Sequence, residues 1–220
     1  MTLRLKGSNS GDVSLKAPAT AGDNTITLPT SNGSANQFLM NSGTAGELEF
    51  ATFATSDMPT KTILQVRSTT KSDTSTFTSV NGSYTSTVPG LTVAITPSST
   101  SSQILIRGVV CFSTNDTGKN GVSVTLLRGS TEIGLGQSGN SNTRSSFAGY
   151  YSPDDNRLPQ AIPFEFLDSP STTSETTYGL KLFQPFSASI NVHVNLNGDG
   201  SASGSRVRTI STITAMEVAA

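Results

Sequence analysis

The sequence has no tryptophan, one histidine (His193) and one cysteine (Cys111) among its 220 residues. A single cysteine excludes an intrachain disulfide. One histidine and one cysteine also exclude a metal centre built from several such ligands within one chain. Charge is scarce: Lys and Arg number 14, Asp and Glu 15, and the formal net charge is −1. Sequence-independent nucleic-acid binding needs a basic surface, which this balance does not supply. A polybasic membrane anchor fails on the same ground. No apolar run approaches the roughly 18 residues of a spanning helix, so membrane insertion is not expected. No basic, then apolar, then small-residue leader follows Met1, so no signal peptide is expected. Helical periodicity is missing too, since no window carries apolar residues at i, i+3, i+4 and i+7 over three turns.

What is abundant is Ser and Thr, at roughly 30% of the chain, a share that often accompanies disorder. Here Thr, Val and Ile fall into short alternating runs, which favour strands. The expected fold class is therefore all-β. Residues 1–57 carry apolar pairs at short intervals: Leu3/Leu5, Val13/Leu15, Ile26/Leu28, Phe38/Leu39 and Leu48/Phe50. Turn-rich pieces separate them, at a spacing of about 9 to 13 residues. Each short strand offers two apolar side chains on one face. That is too little area to offset the entropy of ordering the segment alone: either the region is disordered or it buries its stripe against other chains, and the regular alternation favours the second. Thr52 to Thr60, with Pro59, reads as a linker.

Residues 58–220 carry longer strands and read as a β-sandwich of jelly-roll type, with about ten strands. In Thr62–Arg67, alternation puts Ile63 and Gln65 on one face and Leu64 and Val66 on the other. Asn81-Gly82 signals a hairpin between Thr74–Val80 and Tyr84–Val88. Leu91, Val93 and Ile95 alternate. Gln103–Phe112 is almost continuously apolar, so both of its faces are expected to be covered. Val122/Val124/Leu126, Ile133/Leu135, Ile162–Leu167, Tyr178/Leu180/Leu182 and Ile190 to Leu196 follow. Arg208–Val218 is a Thr-rich strand expected to pair inside the fold.

Candidate chemistry is thin. His193 shares a strand face with Asn191 and Asn195, and without a nucleophile elbow it reads as a surface or subunit-contact histidine. Cys111 sits in an apolar run and reads as a buried small hydrophobe, not a nucleophile. Gly134-Leu135-Gly136-Gln137-Ser138-Gly139 matches a dinucleotide-binding pattern, but no helix follows to present its N–H groups to pyrophosphate. Asn197-Gly198-Asp199-Gly200-Ser201 and Asp154-Asp155-Asn156 lack the spaced carboxylates of a calcium loop and read as Asx turns. No paired carboxylates stand out for glycoside cleavage, and Glu165 reads as a solvated or interface carboxylate. No catalytic residue, metal ligand or cofactor is assigned, and an enzyme is not expected. The best binding loop runs from Ser146 to Arg157. There Phe147, Tyr150 and Tyr151 offer aromatic faces beside Asp154, Asp155 and Arg157, a set suited to stacking on a sugar and hydrogen-bonding its hydroxyls.

The N-terminal stretches Leu3-Arg4-Leu5-Lys6-Gly7-Ser8, Ser10-Gly11-Asp12-Val13-Ser14-Leu15-Lys16-Ala17-Pro18 and Ala21-Gly22-Asp23-Asn24-Thr25-Ile26-Thr27-Leu28-Pro29 are distinctive. So are Asn32 to Leu39 and Asn41 to Phe50. They resemble modules of tail-fibre and other fibrous virion proteins of tailed bacteriophages, especially marine cyanophages. Gly90 to Pro97, Phe166 to Pro170 and Thr209 to Ala220 are similar to domains that end such proteins. The resemblance implies a homotrimeric virion component assembled in the host cytoplasm. Its partners would be other tail or capsid proteins and host surface polysaccharide. The large attachment domain and long shaft of long tail fibres have no counterpart here. That leaves a short fibre or fibre tip, or a capsid decoration or head-fibre protein.

Overall fold

A computed structural model of the chain describes residues 2–20, 22–54, 57–79, 84–115, 121–139, 143–150, 158–184, 190–200 and 206–220. It divides into two compact units, Met1–Asp57 and Met58–Ala220.

The first unit is made of two antiparallel hairpins. β1 (Thr2–Lys6) pairs with β2 (Asp12–Lys16). Gly11 closes the intervening turn at φ 79°, a conformation that glycine adopts without steric cost. β3 (Phe38–Asn41) pairs with β4 (Leu48–Ala51). Of the five expected short strands, the one at Ile26/Leu28 is reduced to a single parallel bridge, Thr27 to Glu47. Its backbone is held by Thr27 N–H donating to Gly46 O at 2.7 Å and Leu48 N–H donating to Thr27 O at 2.9 Å.

The second unit is an all-β sandwich. One sheet has the order β10 (Thr131–Ile133), β9 (Gly121–Arg128), β13 (Thr176–Phe183), β7 (Tyr84–Ile95), with β11 (Phe147–Tyr150) also on β9. The other has the order β5 (Ile63–Lys71), β15 (Ser211–Val218), β8 (Gln103–Thr114), β14 (Ile190–Val194), β6 (Ser75–Ser79), with β12 (Gln160–Asp168) on the far edge of β8. Alternation fills the space between them. Ile104, Ile106, Val110 and Phe112 face Val93, Leu126, Tyr178 and Leu180 within one buried cluster. β15 lies between β5 and β8 and turns its alternating Ile213 and Ala215 into the core.

Several local expectations are corrected. The strands flanking Asn81-Gly82 do not form a hairpin among the described residues, because β6 pairs with β14 and β7 with β13. The dipeptide itself lies outside the described residues. Tyr84–Val88 and Leu91–Ile95 form one strand, β7, in which a register shift and Gly90 at φ 71° absorb the irregularity. A further register shift between Glu217 and Val218 separates Ile63 from Gln65. Ile63 is exposed, while Gln65 reaches a buried carboxylate. The outer face of β8 is not covered: Arg107 is exposed and Leu105 and Val109 are half-buried.

Candidate functional site

Of the six candidate contact residues in the binding loop, Phe147 and the backbone of Tyr150 are described. β11 holds both, with Phe147 opposite Val124 and Tyr150 opposite Gly121. Phe147 is half-buried and tilts against Phe164, with ring centroids 6.1 Å apart, at the margin of the core. Its ring therefore packs onto the sandwich. The side chain of Tyr150, together with Tyr151, Asp154, Asp155 and Arg157, lies outside the described residues.

Cys111, His193 and the Asn197–Gly200 turn are built into the fold. Cys111 is a free, buried thiol. His193 is buried, which corrects the surface reading. The Asn197–Gly200 turn lies against it: its Nδ1 meets Thr76 Oγ1 at 3.0 Å, and Gly200 approaches its ring. Burial pushes its pKa below the ordinary 6.5, with a Gly198 backbone hydrogen bond and the Asp199 charge pulling the other way. Gly200 N–H donates to Asn197 O at 3.1 Å, so the Asn-Gly-Asp-Gly run is a turn. Asp199 is engaged there by Asn197 and by the Arg206 guanidinium, which supplies the cationic partner. Glu165 is exposed, with Arg107 Nε 3.9 Å away. Among the described residues no group of three His, Cys, Asp or Glu side chains is placed to hold a metal ion.

Three buried polar clusters went unread in the sequence. Glu217 is fully buried. Its Oε1 accepts from Ser98 N–H and Ser98 Oγ, both at 2.7 Å, and its Oε2 from Gln65 Nε2 at 2.6 Å. Burial alone would raise its pKa, but hydrogen bonds from Ser98, Gln65 and Ser102 outweigh it and hold the carboxyl below its ordinary value. Asp168 on β12 accepts from Arg128 Nη1 on β9 at 3.1 and 3.0 Å and from Tyr178 Oη on β13 at 2.8 Å, clasping one sheet to the other. Burial, then the Asp168 hydrogen bond and charge, drive the Tyr178 pKa far up, against the Arg128 charge. Asn195, at φ 60°, donates to Lys71 O and Asp73 O and accepts from Ser211 Oγ at 2.6 Å, tying β14, β5 and β15.

The exposed apolar surface is concentrated in the first unit. Leu3 opposes Leu15 and Leu5 opposes Val13, all on one hairpin face, with exposures of 57, 62, 53 and 65%. Ile26, Leu28, Phe38 and Leu39 are exposed as well. Leu28, Leu39 and Phe50 line an open hollow of about 370 Å³.

No family model matches the chain, and no curated protein matches it. Among solved structures, the chain is similar to one from infectious bursal disease virus, Gt strain. That match has 13% identity and a TM-score of 0.39, and covers 98% of this chain and 46% of the other. It is also similar to a chain of the VP2 subviral particle of infectious bursal disease virus, at 13% identity and a TM-score of 0.36, covering 83% of this chain and 43% of the other. The chain spans less than half the length of the chains it matches.

Proposed function

We propose that this chain is a bacteriophage virion structural protein. It would be a homotrimeric short tail fibre or fibre tip, attached to the virion through residues 1–57 and meeting the host cell surface through residues 58–220. The observation that carries the reading is the β1–β2 hairpin. A two-stranded ribbon is marginal in water by itself. This one aligns four apolar side chains on one face and leaves each more than half exposed. Burying that stripe against copies of itself supplies the missing core at about 25 cal/mol per Å². The opposite face carries Arg4, Lys6, Asp12 and Lys16 and stays in water. Weak contacts of the Phe147–Arg157 loop with surface glycan would gain strength from three chains and several fibres. The phage assignment rests on the motif resemblance described above.

The second reading is a capsid decoration or head-fibre protein, in keeping with a sandwich that encloses an apolar core of its own. Separating heads from tails of the parent virion and probing each with antibody decides between them. Signal in tails supports the fibre, and signal in heads replaces it with decoration. A purified protein that binds no host surface removes the adhesion role.

A further inference from the structure

The outer face of the six-stranded sheet has a composition that changes row by row. Strand register places Val66 beside Met216, Met216 beside Leu105, and Leu105 beside Leu167. The result is one apolar row across four strands, ending in Val66 at 52% and Leu167 at 45% exposure. The next row is Ser68, Thr214, Arg107 and Glu165. The row after that is Thr70, Thr212, Val109 and Pro163. On the other side of the apolar row, Ile63 pairs with Val218. The inner face of the same strands is already used by the core.

We propose that this face packs against the same face of further copies of the chain, about a symmetry axis parallel to the strands. This places the sandwich's share of the homotrimer contact and to that extent rests on the assembly reading above. Any rotation about such an axis brings each row to the height of its equivalents. Apolar row then meets apolar row. The charged row meets itself with one Arg107 and one Glu165 from every copy, so it is neutral and each guanidinium can reach a neighbour's carboxylate. The three full rows carry one cation and one anion among the described residues, with Lys61 Nζ on Gln103 at the end of the face, so the rows themselves have no excess charge with which to select an acidic or basic partner. Contact through the β12 edge is disfavoured, because Pro163 offers no N–H to extend the ladder. Four strands about 4.8 Å apart and four rows about 6.8 Å apart give roughly 500 Å² per copy, the low end of specific interfaces. The contact is therefore concentration-dependent.

The test uses the full chain with a reporter cysteine, native Cys111 being buried. Leu167→Cys reports the face, and Thr177→Cys, at an exposed position on β13, is the control. At concentrations where light scattering reads an assembly, Leu167→Cys should react with a thiol reagent at least about tenfold more slowly than Thr177→Cys, and recover on dilution. Arg107→Glu and Glu165→Arg, each added to the reporter chain, should abolish the protection. Mixing the two should restore it, because their ion pair can then form only between copies. Equal reactivity of both cysteines in a persisting trimer overturns this contact and leaves the homotrimer standing. Protection unaffected by dilution and by either charge variant means the chain covers its own face, which also overturns it. A monomeric wild-type chain removes both proposals. An assembly of another order that still responds to residues 107 and 165 keeps this contact and removes the trimer.

Discussion

Glu217 is a buried carboxylate with no cation against it among the described residues, held ionised by hydrogen-bond donors. Glu217→Ala leaves the Ser98 N–H and the Gln65 amide without their acceptor, and should cost about 3 kcal/mol in denaturant unfolding. Glu217→Gln keeps the shape and should cost less. Tyr178→Phe removes one hydrogen bond to a charged acceptor and should cost about 2 kcal/mol. Equal stability of Tyr178→Phe and the wild type would mean that the Asp168 clasp adds nothing. The pH dependence follows from the same groups. His193 and Glu217 both have folded pKa values below their ordinary 6.5 and 4.5. Their contribution is complete above those values and is lost as pH falls through the folded ones. Tyr178 is shifted upward, so its contribution is complete below 10.0 and is lost as pH rises beyond. Thermal melts should therefore show a plateau around neutral pH with losses on both sides. A melting temperature unchanged from neutral pH to pH 4 would contradict the acid limb.

At the scale of elements, the close approach of β8 to β15 depends on Gly108. A Cβ there would collide with Thr212 O and lie 2.7 Å from the ring of Phe164, its direct cross-strand neighbour. Gly108→Ala must push the strands apart or tilt the ring, and should destabilise by about 3 kcal/mol, measured by urea unfolding. An alanine tolerated within a few tenths of a kcal/mol would mean the strands slide freely. This scale is also where the sequence was most legible. Period-two runs mark nearly every sandwich strand, because inward residues must be apolar and outward ones need not be. Period two puts Glu217 on the face of Ile213 and Ala215, and Asp168 on the face of Phe164 and Phe166. Their burial was thus readable, but their partners, Ser98 and Arg128, are distant in sequence and were not. His193 misled for a related reason: its strand has one apolar face, yet a following turn covers the other. Asn81-Gly82 is a local signal, whereas pairing of β6 and β7 was decided by which sheet each could complete. The candidate loop was legible only as composition, and of its six candidate contact residues just Phe147 and the Tyr150 backbone are placed.

At the scale of the whole molecule, the two units differ in what they bury. The sandwich encloses 21 of its described residues in one apolar cluster, so it has a core of its own. The first unit leaves Leu3, Leu5, Val13, Leu15, Ile26, Leu28 and Phe38 more than half exposed. On the proposed reading, further copies of the chain cover this surface. The most direct test is the native mass in solution, by light scattering, of the full chain and of Leu5→Lys with Val13→Lys. A trimer for the wild type, falling to a smaller particle in the double variant, is the expected result. A wild-type monomer, or a trimer indifferent to both lysines, would contradict assembly through the N-terminal hairpin.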